Sequence, residues 1–151
     1  MTWVNIDIAD MGELSPDHIR EAWRQGGTVP STGPMIEARI HGEWAPGQLI
    51  VGPTEVDIVI WAPDWMPVER LNIIENGVVI ETIPIEHTAP VRLETTVRLD
   101  PESDAAFVFE VAGDGDMAPV YPSARPWAMT AAIRLDVDGD GWTPPLPSLR
   151  L

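Results

Sequence analysis

Apolar and polar residues alternate along much of this chain. Ile36, Ala38 and Ile40 alternate with polar neighbours, and residues 91–99 repeat this pattern over a longer stretch. A period of two with one polar side predicts half-buried antiparallel strands. In residues 91–99 the pattern assigns Arg92 to the polar side. Residues 55–61 and 105–112 are apolar on both sides, so we expect them to be central strands.

The segment Glu75-Asn76-Gly77-Val78 carries the clearest turn signal. An Asn-Gly pair between apolar runs predicts a tight hairpin with positive φ at both central residues. The hairpin is expected to join residues 68–74 to residues 78–85.

The sequence also marks one helix near the beginning of the chain. Ser15 suits the N-cap, Pro16 suits the first helical position, and the pair Gly26-Gly27 ends the helix. These signals predict a helix over about residues 16–25. Ile19, Ala22 and Trp23 form an apolar stripe on it, and we expect Trp23 to be buried against the predicted strands or against a further domain of a parent protein.

Turn-rich breaks recur near residues 44–48, 62–67, 86–90, 100–104 and 113–119. Strands at this spacing predict a mainly β (α+β) chain, an antiparallel immunoglobulin-like β-sandwich with one N-terminal helix. We expect three parts. Residues 1–33 hold a strand, the helix and a turn, residues 34–142 form the sandwich, and residues 143–151 are an extended Pro-rich tail.

The acidic composition of the chain disfavours some classes of binding partner. The chain has 151 residues, with 24 acidic residues against nine basic ones, and a net charge of −15. Such a surface repels phosphate backbones and anionic lipid, which disfavours nucleic acid and membrane as partners. There is no Cys, so disulfides and Cys-ligated zinc are excluded. Neither a signal peptide nor a membrane-spanning run is expected, and the sequence leaves the compartment open.

An acidic loop near the end of the chain has the composition of a cation site. Asp136, Asp138 and Asp140 stand at alternate positions before Gly141. Carboxylates spaced in this way can surround Ca²⁺, but Pro147 occupies the position at which an EF-hand carries its last Glu. Asp and Gly are also common in turns at strand ends, so a calcium site and a simple turn both stay open.

Seven Trp residues stand beside one Tyr and two Phe. Those near strand ends or loops could form an aromatic platform for a ligand such as a sugar, or an interface with another domain. Packing within the fold is the alternative. If Trp23 on the helix is exposed instead, homodimerisation is expected. The Trp residues assigned to a ligand or interface surface are Trp61, Trp65, Trp127 and Trp142.

The sequence assigns no catalytic residue and no certain cofactor. His18, His41 and His87 are widely separated and show no metal-ligand spacing. Because no Ser or Cys nucleophile pairs with any of them, His87 is interpreted as a histidine of a surface loop.

Several segments, taken in order, resemble the C-terminal part of the PHP-type (polymerase and histidinol phosphatase) metal-dependent hydrolases of the CehA/McbA-like group. Three departures occur: Gly27 replaces an Arg, Thr32 replaces an Asn, and Ala131-Ala132 replaces Asn-Pro. The segments are residues 14–27, Ser31-Thr32-Gly33-Pro34, residues 42–47, residues 62–70 followed by Asn76-Gly77, Ala118-Pro119-Val120, Arg125-Pro126-Trp127 and residues 136–141.

The resemblance implies that the metal-binding motifs of such hydrolases lie upstream, in a barrel that this chain does not contain. The expected function is therefore a non-catalytic accessory domain that acts in packing, orientation or substrate access, with a PHP-type barrel as its partner in cis or in trans. The alternative is a calcium-dependent β-sandwich module that binds carbohydrate or protein.

Overall fold

The structure is a computed structural model that describes residues 1–8, 10–86 and 88–145. It is 45% strand and 8% helical. Its helix α1 spans Pro16–Arg24, after a short 3₁₀ turn at Met11–Glu13. The strands in chain order are β1 (Thr2–Val4), β2 (Thr28–Pro30), β3 (Met35–Ile40), β4 (Glu43–Trp44), β5 (Leu49–Val51), β6 (Thr54–Trp61), β7 (Arg70–Glu75), β8 (Val78–Pro84), β9 (Val91–Leu99), β10 (Ala105–Ala112), β11 (Trp127–Met129) and β12 (Ile133–Asp136).

In the described residues, two larger sheets contain most of the strands. One has the order β4-β3-β6-β9, and the other has the order β5-β12-β10-β7-β8 with β11 paired to β10. Neighbouring strands are antiparallel, except that β5 and β12 run parallel. A single hydrophobic cluster contains buried residues from both sheets. The prediction of a mainly β, sandwich-like chain with one N-terminal helix is confirmed.

Alternation along the central strands builds this core. In β10, Phe107, Phe109 and Val111 are buried, while the residues between them are half-buried. In β6, Val56, Ile58 and Ile60 are likewise buried. Each of these strands has a partner on both sides, as the sequence predicts. Side chains that are fully removed from water on one face therefore hold the two sheets together.

The predicted hairpin is present, with β7 and β8 as its strands. Asn76 has φ 51° and Gly77 has φ 84°, so both central residues adopt the left-handed conformation that the turn requires. The side-chain oxygen of Asn76 also accepts the backbone N–H of Ala106 at 2.8 Å, which ties the turn to β10.

Helix α1 begins where the sequence indicates and ends one residue earlier than predicted, at Arg24. At its start, the backbone N–H of Ser15 donates to Nδ1 of His18 at 3.3 Å. At its end, Gly26 adopts φ 74° and lies against Gly47. A Cβ on Gly26 would lie 2.6 Å from the Cα of Gly47, so only glycine fits this junction.

The N-terminal part attaches to the sandwich at few points. Strands β1 and β2 form a small sheet of their own, from which Val29 enters the shared core. The indole of Trp44 donates to the carbonyl of Gly26 at 3.2 Å. Among the described residues, no helix combines the length and apolar character needed to cross a membrane. Of the predicted tail, residues 146–151 lie outside the described residues.

Candidate functional site

An apolar cleft of about 530 Å³ lies at the end of the sandwich where β6 finishes. Among the residues that the structure describes, none with a charged side chain lines it. Its walls come from the N-terminal strand, the turn before β3, the loop after β6 and the loop after β10. The lining residues are Met1, Trp3, Thr32, Gly33, Met35, Trp61, Ala62, Pro63, Trp65, Met66, Pro90, Met117, Val120 and Tyr121.

A buried arginine shapes the loop that forms one wall of this cleft. Arg92 is 2% exposed, although strand alternation assigns it to the polar side of β9. The register explains the difference. Ile60 pairs with Leu93 while Trp61 pairs with Val91, so Arg92 is the extra residue of a β-bulge. A bulge locally disrupts the alternation of side chains, and here it turns Arg92 inward. The predicted outward orientation of Arg92 is therefore wrong.

The guanidinium of Arg92 donates to three carbonyl groups of residues 62–66. Its Nη2 lies 2.9 Å from the carbonyl oxygen of Met66 and also bonds that of Pro63, and its Nε donates to Ala62 at 3.3 Å. Burial lowers the pKa of Arg92, and the charge of Asp64 opposes this effect. Because the loop carbonyls are engaged with this cation, the cleft wall is formed mainly by apolar side chains.

Aromatic side chains form much of the exposed lining. Trp61 and Trp65, two of the residues assigned to a ligand or interface surface, lie here together. Trp3 and Tyr121 join them, and sequence analysis did not identify either residue. The exposed fractions are 36% for Trp3, 40% for Trp61, 45% for Trp65 and 54% for Tyr121. No local pattern links Trp3 to this site, because the pairing of β1 with β2 brings it there.

Two polar groups of the cleft have hydrogen-bond partners within the protein. The hydroxyl of Thr32 donates to the carbonyl of Arg125 at 2.7 Å and accepts the backbone N–H of Trp127 at 2.8 Å. The indole N–H of Trp3 donates to the carbonyl of Pro34 at 3.0 Å. These two groups are already satisfied, so a polar ligand would have to hydrogen-bond mainly with the indole N–H groups of Trp61 and Trp65 and the hydroxyl of Tyr121.

The aspartate loop lies away from the cleft, and the carboxylates that the structure groups there differ from the three that the sequence suggests. Ligand oxygens of Asp104, Asp136 and Asp138 lie within 4.8 Å of one another. Asp104 comes from the loop before β10, 32 residues upstream of Asp136, and sequence analysis did not identify it. Asp140 is outside this group of three. Oxygen ligands at this spacing are compatible with a hard cation.

Backbone amides occupy these carboxylates. Asp136 is 4% exposed and accepts the N–H groups of Gly139 at 2.8 Å and Gly141 at 3.1 Å. Asp104 accepts those of Val137 and Thr143. These bonds satisfy the loop as a turn, which is the second interpretation that the sequence allows.

The pKa values of two carboxyl groups in the loop, Asp104 and Asp140, are shifted in opposite directions. The hydrogen bond from the backbone of Thr143, supported by that from Val137, lowers the pKa of Asp104. The negative charge of Asp138 raises the pKa of Asp140, and a hydrogen bond with Asp138 adds to the effect. The loop therefore stabilises one carboxylate and strains another by repulsion between like charges.

Trp127 and Trp142 lie outside the cleft. The indole of Trp127 donates to Glu110 at 2.9 Å, and the other carboxylate oxygen of Glu110 accepts the amide of Asn72, also at 2.9 Å. Trp142 is half-buried, and the guanidinium of Arg134 lies 5.6 Å from its ring centroid. Both contacts are internal to the fold, which is the packing alternative for these two residues.

The cleft and the aspartate loop adjoin opposite ends of β6. At the start of the strand, the N–H of Gly52 donates to the carbonyl of Asp136 at 2.8 Å. At its end, Trp61 lines the cleft. An eight-residue strand is about 24 Å long. One ligand therefore cannot easily contact both places.

A second apolar surface lies on α1. Trp23 is 73% exposed, Ile19 is 42% exposed and Leu14 is 40% exposed, while the small Ala22 is buried. The expected burial of Trp23 against the strands is therefore wrong, and its burial against a further domain stays a prediction. The helix is joined to the sandwich at its C-terminal end by the Gly26–Gly47 junction, and of its stripe only the small Ala22 is buried, so the large side chains remain exposed.

The two histidines that the structure describes, His18 and His41, lie in separate elements. His18 lies in α1, and His41, with φ 52°, lies in the turn after β3 rather than within a strand. The predicted surface-loop position of His87 lies outside the described residues.

Compared with known proteins, the chain matches no family model, no curated protein and no solved structure.

Proposed function

We propose that this chain is a non-catalytic accessory β-sandwich domain that packs against a PHP-type metallohydrolase barrel, in cis or in trans. The observation that carries the proposal is the bare apolar stripe of α1. A helix of this kind normally buries its stripe against a neighbouring element. Here the large stripe residues Ile19 and Trp23 remain in contact with solvent, and so does Leu14, which precedes the helix.

The free energy available from covering this stripe is substantial. Burial of a large apolar side chain contributes about 1.5–3 kcal/mol. Ile19 and Trp23 lie four positions apart and so on the same face of the helix. Large exposed apolar surfaces on soluble proteins commonly mark interaction sites. A partner that covers both side chains would gain several kcal/mol without reordering the helix.

The segments that resemble the hydrolases act here as structural joints, which is consistent with an accessory role. Gly26, at the end of the helix motif, packs against Gly47 of the Pro-Gly motif. Thr32, in the motif before β3, exchanges hydrogen bonds with Trp127 of the Arg-Pro-Trp motif. These contacts join the N-terminal part to the sandwich and fix the orientation of α1.

The proposal assigns metal-dependent chemistry to the barrel partner. In the described residues, the grouped metal-ligating side chains are Asp104, Asp136 and Asp138, without a histidine. The purified chain, supplied with Zn²⁺ or Mn²⁺, is expected to turn over no phosphate ester, carboxylate ester or amide. Metal-dependent turnover that survives repurification would contradict a non-catalytic role.

A binding experiment tests the partnership directly. A PHP-type barrel, truncated before its own C-terminal region, is titrated with this chain by isothermal calorimetry. We expect saturable binding that weakens at least about tenfold with Trp23→Ser, since a central aromatic anchor commonly dominates an interface. Trp65→Ser, the same change in the cleft, should leave this affinity unchanged. Absence of binding, or equal weakening by both substitutions, would contradict the proposal.

The immunoglobulin-like arrangement is part of this proposal, supported by two mainly antiparallel sheets that share one core. The alternative function, a calcium-dependent module that binds carbohydrate or protein, is supported by the grouping of Asp104 with Asp136 and Asp138. It is weakened by the distance between this loop and the aromatic cleft, because such a module would need the two side by side.

A further inference from the structure

The cleft at the end of β6 has the dimensions of a ligand site. Small-molecule sites are mostly apolar concavities of about 300–1,000 Å³, and this cleft measures about 530 Å³. It is built on fixed structure, because Arg92 holds the loop of residues 62–66 through three carbonyl groups. Its occupant can be deduced from the lining and the charge of the chain.

Four aromatic residues line the cleft. Trp3, Trp61, Trp65 and Tyr121 come from four separate segments and converge on this one cleft. The face of an aromatic ring carries negative charge density and attracts a cation within about 6 Å. Several rings around one cavity are the arrangement by which proteins bind ammonium groups that have lost their water.

Charge selects among apolar ligands. No Arg, Lys or described His side chain lines the cleft, so an anionic group would find no cationic side chain there, and the only cationic group of the described lining residues is the terminal amino group of Met1, which is 75% exposed. The chain carries a net charge of −15, which repels anions and concentrates cations near its surface. Both observations favour a ligand with positive charge.

Hydroxyl-rich ligands fit the cleft poorly. The hydroxyl of Thr32 and the indole N–H of Trp3 are already engaged within the protein. The carbonyl groups of Ala62, Pro63 and Met66 accept hydrogen bonds from Arg92. A sugar would depend on the indole N–H groups of Trp61 and Trp65 and the hydroxyl of Tyr121, which together replace only part of its hydrogen bonds to water.

We infer that the cleft binds a small organic cation, with an apolar body against the methionine and proline side chains and a positively charged ammonium group against the aromatic rings. This site is separate from the bare face of α1, so it does not depend on the proposed barrel partner. The experiment below uses the chain alone, and its outcome is therefore independent of the proposed function.

Two isosteric probes test the charge requirement. Phenyltrimethylammonium and tert-butylbenzene have the same shape and differ by one positive charge. Binding is followed by tryptophan fluorescence. We expect saturable binding of the cation, about tenfold tighter than that of the neutral probe. Equal or tighter binding of the neutral probe, or no saturable binding of either probe, would overturn the inference. Binding of cellobiose that is tighter than that of the cation would overturn the inference in favour of a carbohydrate site.

Matched substitutions locate the binding. Trp65→Leu keeps an apolar side chain but removes the ring, so the affinity for the cation should fall about tenfold while that for the neutral probe changes little. Trp23→Leu makes the same change on α1 and should leave both affinities unchanged. If Trp65→Leu lowers the melting temperature strongly, Tyr121→Leu provides the same comparison at a residue that is 54% exposed. Unchanged cation affinity in a folded cleft variant would overturn the inference.

Discussion

Nη2 of Arg92 lies 2.9 Å from the carbonyl oxygen of Met66, which joins the bulge of β9 to the loop after β6. The same guanidinium bonds the carbonyls of Ala62 and Pro63. A single buried cation therefore fixes the loop that carries Trp65 into the cleft. The wall of the cleft depends on a residue that is itself almost completely hidden from solvent.

Substitution of this arginine should destabilise the fold. Arg92→Met leaves three carbonyl groups without their charged donor, which is expected to lower the free energy of unfolding by about 3 kcal/mol. Urea denaturation measures the change. Arg98→Met on the same strand is the matched control, because the side chain of Arg98 is 65% exposed; its effect should stay within about 0.5 kcal/mol. Equal effects of the two substitutions would contradict the role assigned to Arg92.

Two carboxylates of the aspartate loop are expected to change the stability of the fold with pH in opposite directions. The pKa of Asp104 is lowered, so its contribution to stability is present above the ordinary carboxylate pKa and is lost as pH falls through its folded value. The pKa of Asp140 is raised, so its contribution is present at low pH and is lost as pH rises through its folded value.

Two conservative variants test this difference. At about pH 7, above the ordinary carboxylate range, Asp104→Asn should lower the melting temperature and Asp140→Asn should raise it. At about pH 3 the difference for Asp140→Asn should shrink, because the raised pKa leaves Asp140 largely protonated there, whereas the difference for Asp104→Asn should persist to lower pH because the pKa of Asp104 is lowered. Melting curves at the two pH values are the measurement. Shifts of the same sign in both variants at about pH 7 would show that the charge of Asp138 does not control Asp140.

Metal removal separates the two interpretations of the same loop. Backbone amides already occupy the carboxylates of Asp104 and Asp136, so we expect the melting temperature to be equal in EDTA and in Ca²⁺. Calorimetric titration of the metal-stripped chain should then give no saturable heat. A saturable site with a raised melting temperature, both lost with Asp138→Ala, would instead establish the calcium interpretation.

The bare face of α1 should also make the isolated chain associate with itself. Trp23 and Ile19 expose apolar surface that a second copy can cover, which is the predicted homodimer. Sedimentation velocity is expected to show a concentration-dependent dimer that Trp23→Ser weakens. Trp65→Ser should leave the dimer intact. A dimer that responds only to Trp65→Ser would place the contact at the cleft.

Local patterns were sufficient to predict the main elements. The Asn76-Gly77 turn and the buried alternation around Phe109 follow from backbone preference and from a period of two. Arg92 was assigned to the wrong face because a bulge depends on pairing with β6, and pairing is not visible within one strand. Trp3 and Asp104 were missed for a related reason: each reaches its site from a distant segment through contacts that the tertiary fold creates.

The central claim is that a catalytic barrel covers the apolar face of α1. Hydrogen exchange of this chain, alone and with a truncated PHP-type barrel, tests it most directly. The account predicts that the barrel slows exchange mainly in residues 14–24, while the aspartate loop and β8 exchange as before. Protection in other residues with exchange in α1 unchanged would contradict the claim. Equal exchange in α1 for the wild-type chain and for Trp23→Ser, both with the barrel present, would contradict it as well.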